Sequence, residues 1–233
     1  MIYKKKIFCA LDFSDIDQTI NFTKIIQPHI GGIKLGLEFF CKNGPEGVEK
    51  LKKFELPIFL DLKLHDIPNT VTKAVKNIIK LSPEYLTVHL SGGRKMIEEL
   101  VEVKKRTKII GVSMLTSLDK NDLKDFGISC TEELYIENLM KVGVSSKIDG
   151  IVTSANEVKK LKEKFNKLIY VTPGLRLPDE NSEDQKRIAT PGKAIKNGSS
   201  ILVIGRTITN SNDPISSIKK IVRNIENEQK NPS

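Results

Sequence analysis

The sequence predicts an α/β protein, a single (β/α)8 (TIM) barrel over residues 1–233. Three observations predict it. Short β-rich apolar runs recur eight times along the chain. Amphipathic segments with helical spacing separate them, as strand–helix repetition in a barrel requires. No Gly-x-Gly-x-x-Gly follows the first run, so the alternative, an open doubly wound sheet, lacks its phosphate-binding turn.

The eight runs cover residues 6–13, 32–37, 58–64, 85–90, 108–115, 150–154, 168–172 and 200–205. Most are continuously apolar rather than alternating, which suits parallel strands covered on both faces. Between the third and fourth runs, residues 71–80 repeat apolar side chains at helical intervals of three and four. Met96, Ile97, Leu100 and Val101 do the same in the next unit, and Leu134, Ile136, Leu139 and Met140 in a later one. Asp213-Pro214 opens the last helix, with Asp as N-cap and Pro in the first turn. Residues 227–233 are polar and are expected to fray.

Composition narrows the function. The formal net charge is +9, from 38 basic and 29 acidic residues. Much of the lysine lies on helix-like stretches with acids mixed in, as in Lys159-Lys160-Leu161-Lys162-Glu163-Lys164, which reads as a solvated face. With no Trp and only 4 Tyr, the interleaved aromatics of a nucleic-acid-binding surface are missing. No apolar run approaches the roughly 18 residues that a membrane span needs. The three cysteines, Cys9, Cys41 and Cys130, are far apart and form no C-x-x-C pair. They read as reduced thiols in a cytoplasmic protein without a signal peptide.

In such barrels the reactive groups sit at the C-terminal ends of the strands. Here those ends carry Asp12, Lys34, Asp61 with Lys63 and Asp66, His89, Thr116, Ser154, Pro173-Gly174 and Gly205-Arg206. The third end, residues 61–70, is the most informative. Strand alternation turns Asp61 and Lys63 to one face and Leu62 and Leu64 to the other. Such an array of opposite charges is costly to bury unless its members pair, so a chain that keeps it uses it on a substrate. Gly205 and Arg206 follow the last strand, where barrels commonly bind phosphate, and the Arg offers a planar fork to its oxygens. Residues 175–188 are polar and bounded by Pro173-Gly174 and Pro191-Gly192, and they read as a lid loop.

Each residue also has a plainer reading. Asp61, Lys63 and Asp66 could form a structural ion-pair network. Asp12 could cap a helix or turn, Lys34 could snorkel at the surface, and Thr116 could cap the next helix. Arg206 could be a surface cation and Gln185 an ordinary loop residue. His65 and His89 invite a metal reading with the nearby acids, but no His-x-His or His-x-x-x-His supports it. A metal site is therefore not expected from these residues.

The chain resembles the orotidine 5′-monophosphate decarboxylases of the short bacterial type. The resemblance rests on Ala10-Leu11-Asp12, Lys34-Leu35-Gly36, residues 61–70, residues 114–117, residues 171–176, residues 184–187 and residues 205–209, in the family's order. It departs from the family's usual pattern at His89-Leu90-Ser91-Gly92-Gly93 and at Gly205-Arg206-Thr207, and neither change removes a charge. The resemblance implies loss of carbon dioxide from orotidine 5′-monophosphate to give uridine 5′-monophosphate, without metal or organic cofactor, the last step of de novo pyrimidine nucleotide synthesis. Lys63 would stabilise and protonate the carbanion, within an alternating array of Lys34, Asp61, Lys63 and Asp66. Asp12 and Lys34 would hold ribose hydroxyls, Thr116 the pyrimidine, and Arg176 and Gln185 other parts of the nucleotide. Asp66 and Thr70 would reach into the partner's site, making the working unit a homodimer. Two other classes remain open on the sequence: a magnesium-dependent sugar-phosphate barrel sharing D-x-K-x-x-D, and a non-catalytic phosphate- or nucleic-acid-binding barrel.

Overall fold

The computed structural model describes residues 2–178 and 189–230. Eight parallel strands close into a barrel in sequence order. They are β1 (Ile7–Ala10), β2 (Gly32–Leu35), β3 (Ile58–Leu64), β4 (Tyr85–His89), β5 (Lys108–Val112), β6 (Gly150–Val152), β7 (Ile169–Thr172) and β8 (Ile201–Ile204). β1 pairs with β8 through Ile7–Leu202, Phe8–Val203 and Cys9–Ile204, which closes the ring. The expected (β/α)8 barrel is the observed fold.

Two apolar cores follow from this closure. Side chains pointing inward, among them Phe8, Phe59, Ile110, Val171, Ile201 and Val203, fill the barrel. Those pointing outward, such as Ile33, Leu60, Leu86 and Leu202, meet the surrounding helices. This is why most strands read as unbroken apolar runs.

The helices between strands are α1 (Ile16–Ile26), α2 (Leu37–Leu51), α3 (Pro68–Ile78), α4 (Gly93–Val103), α5 (Lys120–Asp125), α6 (Glu132–Ser145), α7 (Ala155–Lys164) and α8 (Pro191–Asn197), with α9 (Arg206–Thr209) and α10 (Pro214–Lys230) after β8. α3 starts at Pro68 and buries Val71, Val75 and Ile78. α4 buries Met96, Ile97 and Leu100. α6 keeps Ile136 and Met140 inside, but Leu134, expected on that face, is exposed in its first turn. The lysine-rich face of α7 is not only solvated: Lys160 pairs with Glu133 and Lys164 with Glu137, both at 2.5 Å, tying α7 to α6. Asp213 accepts the N–H of Ser216 at 2.9 Å, the capping expected for α10.

Of the tail expected to fray, residues 227–230 continue α10 to Lys230. Buried Ile218, Ile221, Val222 and Ile225 seat the helix, and Glu228 pairs with Lys196 of α8 at 3.5 Å. Residues 231–233 lie outside the described residues. The cysteines are free, with Cys9 buried and Cys41 exposed. Among the described residues, no helix is long and apolar enough to cross a membrane.

Candidate active site

The inward-pointing core ends at a cavity of about 290 Å³ in the C-terminal mouth of the barrel. Its floor is apolar, built from Ala10, Phe59, Val112, Val152, Val171 and Val203, one side chain from each of six strands. Its rim is charged and polar. Eight of the sequence-predicted residues line it together: Asp12, Lys34, Asp61, Lys63, Thr116, Arg176, Gly205 and Arg206.

The charged half rests on β2 and β3. Lys63 Nζ lies 2.9 Å from Asp61 Oδ2, and Lys34 Nζ lies 3.6 Å from the same oxygen. Lys34 also reaches Asp12 Oδ1 at 3.3 Å. The result is an alternating chain of Asp12, Lys34, Asp61 and Lys63. The Lys34 side chain is only 11% exposed, so it is no surface lysine. Gly36 makes room for the pair: a Cβ there would come within 3.0 Å of Asp12 Oδ1 and 3.1 Å of Lys34 Nζ. Burial works against ionisation of Asp61. The Lys34 and Lys63 ammoniums, with hydrogen bonds from Lys63 and Thr87, outweigh it and hold the carboxyl below its usual range.

The helix-capping alternatives for Asp12 and Thr116 do not hold. Asp15, not Asp12, caps α1 by accepting the N–H of Gln18 at 2.6 Å. Asp119, not Thr116, caps α5. Both rejected candidates face the cavity instead.

β3 departs from regular alternation where the chemistry lies. Leu60 is opposite Leu86 and Leu64 opposite Val88, so residues 61–63 share the space beside the single residue Thr87. Lys63 has φ 48°, the left-handed region that non-glycine residues seldom occupy. The expected proximity of Asp61 and Lys63 is found, but across a bulged strand rather than a flat one. Leu62 is buried on the other side, as alternation requires. Thr87 was not expected. Its hydroxyl accepts the Lys63 N–H at 2.8 Å and donates to Asp61 Oδ1 at 3.0 Å. One polar residue in the apolar stretch of β4 was the available clue.

The binding half is carried by loops. Arg176 follows β7, and its N–H donates to Ala189 O at 3.1 Å beside a bridge between Leu175 and Ala189. The two stems of the expected lid are therefore joined. Residues 179–188 of that lid, including Gln185, lie outside the described residues. Arg206 opens the four-residue α9 with Gly205 as its N-cap. A Cβ at Gly205 would meet only Ala10, at 3.5 Å, so packing alone does not demand glycine there.

Asp66 and Thr70 do not join this cavity within one chain. Both are exposed beyond the end of β3, and Asp66 accepts the N–H of Ile67 at 2.6 Å. Ile67 between them is an apolar side chain 65% exposed. His65 and His89 stack with ring centroids 5.2 Å apart, and burial, then His65 and Lys63, lower the His89 pKa. Among the described residues, no three His, Cys, Asp or Glu side chains gather as a metal site requires.

Comparison with known proteins follows the same lines. A family model described as orotidine 5′-phosphate decarboxylase / HUMPS family matches residues 5–221. A relative named orotidine 5′-phosphate decarboxylase from Sphingopyxis alaskensis is 47% identical over 209 residues, covering 89% of this chain and 93% of its own. Another of that name from Ehrlichia canis is 45% identical over 222 residues, 94% and 97% of the two chains. The crystal structure of orotidine 5′-phosphate decarboxylase from Lactobacillus acidophilus matches with a TM-score of 0.83 and 33% identity, covering 94% of this chain and 98% of that one.

Proposed function

The chain belongs to the orotidine 5′-phosphate decarboxylase / HUMPS family and is a carboxy-lyase of the decarboxylase type, and we propose that it converts orotidine 5′-monophosphate to uridine 5′-monophosphate and carbon dioxide without metal or organic cofactor. The observation that carries the mechanism is Lys63, fixed by Asp61 at 2.9 Å over an apolar floor in the barrel mouth.

Breaking the carbon–carboxylate bond releases carbon dioxide and leaves an electron pair on a ring carbon that cannot spread it. An ammonium held beside that carbon stabilises the pair and then gives it a proton. Lys63 takes that role and regains its proton from water. Asp61 holds the ammonium in place, and Lys34 keeps Asp61 ionised at low energetic cost. Asp12 and Lys34 bind ribose hydroxyls, and Thr116 contacts the pyrimidine. Gly205, Arg206 and Arg176 take the phosphate end, with Gln185 on the lid. Phosphate binding then closes the lid and places remote binding energy at the service of the reaction.

The site is completed by a second copy of the chain, with Asp66 and Thr70 of one protomer entering the cavity of the other. The exposed Ile67 beside them supports that reading. The free cysteines support work in the reducing cytoplasm.

The test is to mix purified protein with orotidine 5′-monophosphate and follow the loss of its ultraviolet absorbance, with and without EDTA. Loss at equal rates in both arms supports the reading. No turnover refutes the reaction, and turnover abolished by EDTA refutes the metal-free mechanism.

A further inference from the structure

We propose that Thr87 is a positioning residue for the reaction: its buried hydroxyl holds the bulged β3 strand so that Lys63 and Asp61 stay in register with each other.

Three observations lead there. First, the β3–β4 ladder breaks between Leu60 and Leu64, and Thr87 is the one β4 residue spanning the break. In a regular parallel ladder the Lys63 N–H would meet a backbone carbonyl. Here it meets the Thr87 hydroxyl at 2.8 Å. Secondly, that hydroxyl works in both directions. It accepts from Lys63 and donates to Asp61 Oδ1 at 3.0 Å, so one atom ties the backbone of the ammonium residue to the carboxylate that holds the ammonium. Thirdly, Lys63 is strained. The other non-glycine residues with positive φ among those described, Glu55, Ser82, Lys105 and Lys147, sit in turns or at helix ends, whereas Lys63 lies inside a strand. Such a conformation persists only where its surroundings over-determine it.

Thr87 itself is 0% exposed, so no water can replace its hydroxyl without rearrangement. Removing the hydroxyl leaves the Lys63 amide and one Asp61 oxygen short of a partner at once. The strand is then free to shed its strain by turning Lys63 away. A misplacement of this kind, small in distance, can cost on the order of 100-fold in rate. The Asp61 carboxylate also loses a donor, which leaves Lys34, Lys63 and the more distant His89 as the groups acting on its charge.

The test compares Thr87→Val, which keeps the shape and removes the hydroxyl, with Thr87→Ser, which keeps the hydroxyl. Thr87→Ala serves in place of the valine variant should that variant not fold. The kinetic arm rests on the decarboxylase reading above. There, Thr87→Val is expected to lower kcat by tens of fold, on the order of 10- to 100-fold, with little change in KM, and Thr87→Ser to restore it. The second arm needs no activity. It follows the Asp61 carboxyl by carbon-13 NMR titration, and Thr87→Val is expected to raise its pKa while Thr87→Ser matches the wild type. Equal kcat for the valine variant and wild type, equal losses for valine and serine, or an unmoved Asp61 titration overturns the proposal. If the wild type shows no turnover, the reaction assigned above falls, and the titration alone decides the role of Thr87.

Discussion

Replacing Asp61 by asparagine removes the shared anion of the array while keeping its size. Asp61 Oδ2 stands 2.9 Å from Lys63 Nζ and 3.6 Å from Lys34 Nζ. At an effective dielectric of about 20, those distances give attractions of about 6 and about 5 kcal/mol. The cost of burying the charges cancels much of this, because Asp61 and Lys34 have side chains only 14% and 11% exposed. Breaking a buried pair by removing one partner costs about 3–5 kcal/mol. Lys34 keeps Asp12 as a partner and Lys63 can reach water, so the lower end, about 3 kcal/mol, applies. For a chain of this size that is a fall in Tm of about 6–12 °C at neutral pH.

The pH dependence has a definite sign. The folded Asp61 carboxyl titrates below its usual range. Its stabilisation is therefore fully present above the unfolded value of about 3.9, and is lost as the pH falls through the lower folded value. Thermal melts of wild type and Asp61→Asn, at one protein concentration from pH 7 to pH 3, should show a gap that is full at pH 7 and starts to narrow below about pH 4. A gap that persists unchanged at the lowest pH, or no gap at pH 7, refutes the reasoning.

Lys63→Ala should leave a folded barrel and lower turnover by at least about 100-fold, with nucleotide affinity changed far less; near-normal turnover sinks the mechanism. Arg206→Ala should cost about 1.5–3 kcal/mol in binding of the nucleotide and almost nothing for the bare nucleoside; equal losses would mean that Arg206 does not touch the phosphate. Mixing inactive Lys63→Ala and Asp66→Ala proteins, with subunit exchange confirmed, should restore about a quarter of the sites, since about half the dimers are mixed and each of those has one intact site. No recovery means that Asp66 acts within its own subunit.

The barrel was legible because burial on both faces writes itself as unbroken apolar runs. The same signal blurred the strand ends. Residues 6–13 read as one strand, yet β1 stops at Ala10; residues 108–115 read likewise, and β5 stops at Val112. Leu11 and Met114 continue the apolar run because both are buried beyond the strand ends, and Leu11 still donates its N–H to Lys34 O at 2.9 Å. Apolar content reports burial and not hydrogen bonding. Charged site residues were legible for the opposite reason: Lys34, Asp61 and Lys63 interrupt runs that otherwise have no polar atoms. Thr87 escaped because a β-branched residue in a strand needs no explanation. The bulge beside it carries no glycine or proline to announce it. The roles proposed for Asp66 and Thr70 had no source in one chain's geometry, since neither lines its own cavity.

The site divides by what carries it. Lys34, Asp61, Lys63 and Thr87 stand on strands whose opposite faces are buried, while Thr116 and Arg176 stand on loops and Arg206 opens the short α9 just after a loop. The left-handed backbone of Lys63 costs about 1–3 kcal/mol. Burial of the neighbouring Leu62 side chain, 7% exposed, returns a comparable amount, about 1.5–3 kcal/mol. The strain at Lys63 is thus balanced one residue away, within the same strand, and does not wait for a ligand. An array held in this manner is preorganised: under the proposed mechanism its charges would meet the substrate without rearranging, which is where such arrays gain rate. In the proposed mechanism the loop-borne residues serve binding instead. Substitutions on β2, β3 and β4 should therefore fall on kcat, and those on the loops after β5, β7 and β8 on affinity. In the proposed dimer Asp66 would be the exception, a loop residue acting on the rigid array of its neighbour.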